Sequence, residues 1–258
     1  MPSAIKHDHE FSSKGLVTIL VERQGAQQDN LEAFLWNRFP DSECFTCVGN
    51  GTFVPLPESE GMPHAGVIGV DGTLLWAGNP LDAPKQIDDL IEAELTKVKK
   101  GWGATPDARK VRAALYGKGD FTAAQATITA LPEGEERTAL QAEFDKRYGV
   151  LKQSVTNLRD QGHWLAAHEA ALELQKGVVG GKQASEVAAL VAEFDTDAAK
   201  AEIALDKKLD KVVKQLRDRK TDNAKKALQS LVKGAGASKV GERAKHLLAV
   251  LEIPLKAE

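Results

Sequence analysis

The sequence predicts a molecule in two parts, an α/β region over residues 1–100 and an all-α region over 107–258. Three observations predict it. Residues 61–80 read as a proline-led β-hairpin, because the apolar runs Val67, Ile68, Val70 and Leu74, Leu75, Trp76 flank the turn-forming pair Asp71-Gly72. Strand-like patterns then stop at Gly101. Beyond that point one helix-turn-helix pattern recurs three times.

Taken in order, a short helix is expected near Ser3–Ser12, a strand at Val17–Val21 and a helix at Asn30–Arg38. The hairpin follows. Asp71-Gly72 suits a type I′ turn, which needs positive φ at both central residues. Pro63 stands where the first hairpin strand begins, and a proline there marks an edge or a cis bond beside a site. A helix from Leu81 to Lys100 closes the region, and Gly101–Pro106 reads as a linker because it combines glycines, a proline and a capping threonine.

In the second region, Leu115-Tyr-Gly-Lys-Gly-Asp-Phe-Thr-Ala-Ala124 aligns with Leu158-Arg-Asp-Gln-Gly-His-Trp-Leu-Ala-Ala167. A more eroded copy is Leu216-Arg-Asp-Arg-Lys-Thr-Asp-Asn-Ala-Lys225. Each copy ends one helix, turns, and opens the next with small residues that let two helices approach closely. Helices are expected at 107–116, 121–131, 133–160, 164–176, 182–219, 221–233 and 238–251. Phe121 and Trp164 are expected in hairpin cores and Trp102 over the domain junction. The turn is similar to that of tetratricopeptide-type hairpins, although spacings of 43 and 58 residues exceed that family's 34.

Composition narrows the function. A net charge of −3 over 258 residues gives no electrostatic case for nucleic acid. The basic run Lys207–Lys220 has no interleaved aromatic and reads as a solvated helix face. No apolar run approaches the roughly 20 residues needed to cross a bilayer. The first ten residues contain no apolar core of a secretory signal, so the chain as written reads as cytoplasmic. Neither a metal nor a cofactor is expected.

The order of strand Val17–Val21, helix Asn30–Arg38, the Pro63-led hairpin and helix Leu81–Lys100 resembles the rear part of a thioredoxin-like domain, in particular the redoxin and thiol:disulfide interchange branch. The resemblance covers residues 1–98. It implies that Met62 and Pro63 form the family's cis-proline loop, which binds the substrate backbone. It also implies that the family's first strand, its Cys-x-x-Cys and the central strand that pairs on both sides would fall before Met1. The expected fold class is thus an α/β thioredoxin-like domain lacking its first strand and active-site motif, followed by a helical-hairpin domain. An upstream signal peptide would make the protein periplasmic or extracytoplasmic.

Cys44-Phe-Thr-Cys47 has the spacing of a dithiol motif, but it follows the helix breaker Phe39-Pro40 and is expected on a loop. Four states are open for it: a disulfide bracing the loop before Pro63, unremarkable reduced thiols, a relocated catalytic redox centre, or half a metal site. Zinc takes four ligands, and the nearest histidine is His64. His64 could also contact a bound partner. His7-Asp8-His9 reads as a solvated helix face. Two function classes follow: a redox-family protein of the cell envelope whose catalytic motif lies outside this chain and whose helices bind a partner, or a non-enzymatic adaptor for protein partners.

Overall fold

The computed structural model describes residues 2–22, 25–49 and 63–254. The chain is helix-rich α/β, and among the described residues its four strands fall within residues 19–78. By packing it divides into two compact units: residues 1–26 with 42–117, and residues 27–41 with 118–258.

In the first unit, helix α1 (Pro2–Phe11) precedes strand β1 (Ile19–Glu22). β1 pairs in parallel with β2 (Phe45–Val48), Ile19 opposite Phe45 and Val21 opposite Cys47. β3 (Ala65–Ile68) and β4 (Leu74–Gly78) form a separate antiparallel pair. No strand joins the two sheets among the described residues. Helix α3 (Pro84–Lys100) packs Ile87, Ile91 and Leu95 against Phe11, with Val67 and Trp76 of the hairpin alongside.

The hairpin turn differs from the type I′ expectation. Gly72 N–H donates to Gly69 O at 3.0 Å and Gly69 N–H to Thr73 O at 2.8 Å, while of Asp71 and Gly72 only Gly72 has positive φ, at 84°. This is a three-residue loop: a type I turn closed by a left-handed glycine. Two side chains impose it. Asp71 Oδ1 accepts from Thr73 N at 2.9 Å, and buried Glu94 of α3 accepts from Val70 N at 2.9 Å.

Residues 101–106 lie inside the first unit, where Trp102 packs on Tyr116 at 5.0 Å with Arg112 over its ring. Helix α4 (Pro106–Arg112) begins at the Thr105 cap and widens into a π-turn over Ala113–Lys118, within which the unit ends at Gly117.

The second unit contains α2 (Gln28–Arg38), α5 (Phe121–Ala130), α6 (Glu135–Asp160) and α7 (Trp164–Gly177). These are followed by α8 (Ala184–Ala192), α9 (Asp197–Arg217), α10 (Thr221–Ala235) and α11 (Lys239–Val250). α2 lies between two strands in sequence yet packs Trp36 beside the α9–α11 core of Leu209, Leu216, Leu228 and Leu247. The helix expected over 182–219 is two helices. Thr196 interrupts it, turning to extended backbone and accepting from Ala199 N to cap α9.

The repeated turns obey one geometry. After α6, His163 N–H donates to Leu158 O and Gly162 N–H to Arg159 O; after α9, Lys220 N–H donates to Gln215 O and Arg219 N–H to Leu216 O. Both are Schellman closures around a left-handed residue, Gly162 at φ 83° and Arg219 at φ 58°. Gly162 is further constrained, since a Cβ there would lie 2.9 Å from the Lys239 backbone. The third copy is therefore 57 residues after the second (162 and 219), one fewer than the sequence alignment gives. In this register Ala167 and Ala224 are equivalent, and both are fully buried.

Candidate functional site

The only cysteines, Cys44 and Cys47, are free thiols. Cys47 is in strand β2, not on a loop, and Cys44 immediately precedes it. Were Cys44 as extended as the strand it precedes, a rise of about 3.3 Å per residue would set the two α-carbons about 10 Å apart with their side chains on opposite faces. A disulfide spans at most about 7 Å between α-carbons. The structure has both thiols free and so does not show the bracing disulfide among the sequence expectations.

Electrostatics at Cys44 also oppose thiolate chemistry. Burial pushes its thiol above the ordinary range; a hydrogen bond with Ser42 partly offsets this, and the negative charge of Asp8 pushes it further up. Asp8 itself is buried, and its Oδ2 has no hydrogen-bond partner among the described residues. A nucleophilic cysteine needs the opposite surroundings, such as a helix N-terminus or a neighbouring cation.

Pro63 is exposed two residues before β3, and His64 beside it is half-buried. Met62 lies outside the described residues. β2 and β3 belong to different sheets, so no strand pairing brings Cys44 and Cys47 to Pro63. Among the described residues no three His, Cys, Asp or Glu side chains gather as a metal set. The His7-Asp8-His9 face is solvated only at His9: Asp8 is buried, and His7 Nε2 lies 2.6 Å from Asp88 Oδ1 on α3. No described helix is long and apolar enough to cross a membrane.

A polar cluster in the helical unit joins three helices, and sequence reasoning did not single it out. Asp206 of α9, 2% exposed, accepts from Leu165 N at 2.8 Å, which caps α7 from a neighbouring helix. Its other oxygen accepts from Arg243 of α11 at 2.7 Å, and Arg243 also donates to Gly162 O at 2.7 Å. One carboxylate thus ties α7, α9 and α11. A signal existed: Asp206 lies three residues after Ile203 and three before Leu209, on the apolar stripe of its own helix. His163 sits beside this cluster, and burial first, then the Arg243 charge, lowers its pKa. With both Asp206 oxygens engaged by Leu165 N and Arg243, the cluster ties helices together.

The class defined by fold and site is therefore a helix-rich α/β unit with two free thiols joined to an array of helical hairpins. No family model, curated protein or solved structure matches the chain.

Proposed function

We propose that this chain is a non-enzymatic protein-binding scaffold, in which a degenerate thioredoxin-like unit accompanies a helical-hairpin array that receives a protein partner. The observation that carries the reading is the geometry of Cys44 and Cys47, one before and one within an extended strand, with burial and Asp8 holding the Cys44 thiol protonated. Stacked helical hairpins offer long grooves suited to peptides and helices.

The thioredoxin-like part of the proposal is supported by the order of elements: parallel β1–β2 with a helix between them in sequence, then a proline-led hairpin, then a long helix. The same order of elements favours a second reading, a redox-family protein of the cell envelope acting on a protein disulfide.

Turnover of insulin disulfides by the full chain with a thiol reductant tests the first reading. The expected rate equals the protein-free control and is unchanged by Cys44→Ser or Cys47→Ser. Catalysis abolished by either substitution would overturn it in favour of a redox centre at β2.

A further inference from the structure

The helical unit contains a cavity of about 290 Å3 between the ends of α2, α9, α10 and α11. Trp36, Leu216 and Leu251 contribute apolar wall, and Arg219, Lys225 and Asn37 contribute polar groups. We propose that this cavity binds a small organic monocarboxylate, its apolar body against Trp36 and its carboxylate between Arg219 and Lys225.

Charge balance selects the ligand class. No carboxylate is among the described lining residues, and neither the Arg219 guanidinium nor the Lys225 ammonium has an ion-pair or hydrogen-bond partner among the described residues. The C-terminal ends of α2, α9 and α11 meet here with the N-terminal end of α10, and each helix end acts as roughly half a charge. Two cations set against three C-terminal helix ends and one N-terminal end suit a single carboxylate better than a multiply charged phosphate. The volume, near the small end of ligand pockets, holds a body of about one ring.

Arg219 is the second argument. It occupies the left-handed position that Gly162 fills in the sister turn, a conformation unfavourable for any residue with a Cβ. The turn would close more easily with glycine. Arginine there brings a guanidinium to the cavity, and Arg219→Gly removes that charge while suiting the backbone.

Calorimetric titration of the full chain with phenylacetate tests the proposal, with phenethylamine as the same body carrying the opposite charge and inorganic phosphate as a bare anion. The expected result is saturable phenylacetate binding, at least tenfold weaker phenethylamine binding, and about tenfold loss of phenylacetate affinity in both Arg219→Gly and Lys225→Gln. Circular dichroism reports that each variant is folded. Absence of saturable phenylacetate binding, equal binding of the amine, phosphate binding in preference to phenylacetate, or unchanged affinity in Arg219→Gly would each overturn it.

Discussion

The α/β unit and the helical unit treat the same kinds of side chain in opposite ways. In the helical unit Phe144, Ala167, Leu228 and Val240 are fully buried, and an internal carboxylate has both oxygens satisfied. In the α/β unit Val17, Ile19, Phe45 and Ile68 each expose more than half of their surface. The difference follows from how each structure satisfies its backbone. A helix pairs its own N–H and C=O groups and needs neighbours only for one face, so a hairpin array closes by stacking. A two-stranded sheet leaves one edge of each strand unpaired and is marginal in water without a third strand or a covering layer. Here α1 and α3 cover one hairpin face through Phe11, Ile87 and Leu95, and no residue of β1 or β2 is among the described members of that core.

The largest break in this contrast is expected at Asp206. Replacing it with alanine leaves Arg243 without its carboxylate and the Leu165 amide without its acceptor, and breaking such a buried pair costs about 3 kcal/mol. Asp206→Asn keeps an acceptor for the amide and should lose less. Urea unfolding followed by far-ultraviolet circular dichroism measures both. Equal, sub-kcal losses would mean that the three helices are held by apolar packing alone.

A smaller effect, with a sign set by pH, belongs to His163. Its folded pKa lies below its unfolded one because burial and Arg243 disfavour the imidazolium. The unfolded chain therefore binds more protons, and this residue's contribution to stability is present above the unfolded value near 6.5 and lost as pH falls below it. The difference in unfolding free energy between the parent and His163→Gln isolates the residue from the other histidines. That difference should shift against the parent between pH 7.5 and 5.5. A pH-independent difference would show that His163 is equally solvated in both states.

How far the sequence specified each unit follows the same physics. The hairpin turns were readable because a leucine, a glycine and paired alanines sit at fixed spacing, and Ala124 and Ala167 are indeed fully buried. The third turn slipped by one residue because Arg219 replaces the glycine that anchors the others. The break at Thr196 was hidden by an apolar stripe that runs through it, with Phe194 buried on one side and Ile203 on the other. β2 has only four residues, too short for an alternating pattern, so Cys47 looked like a loop residue. Long-range partners carried no local mark at all. Glu32 of α2 meets His246 of α11 at 2.8 Å across 214 residues, which places α2 with the C-terminal helices and not with the strands flanking it in sequence. At the candidate site, the cysteine spacing was visible, whereas the buried Asp8 that opposes ionisation of Cys44 looked like part of a solvated face.

The smallest expected effect is the sharpest test of the contrast. Ile19→Thr changes a β-branched apolar residue to a β-branched polar one on a strand where it is 51% exposed. Threonine keeps the strand preference and removes little buried surface, so the unfolding free energy of the chain should move by no more than about 0.5 kcal/mol. Its solubility should rise, because an exposed apolar strand beside an unpaired edge invites association with other chains. A loss above about 2 kcal/mol would have a definite meaning. It is the size expected when a large side chain leaves a packed interior, so Ile19 would have to be covered in the protein as it exists in solution. The two units would then differ in where their cores are completed, the helical one within this unit and the sheet against another strand or chain. Repeating the measurement over a hundredfold range of protein concentration separates those alternatives, since only cover by a second copy makes the loss depend on concentration.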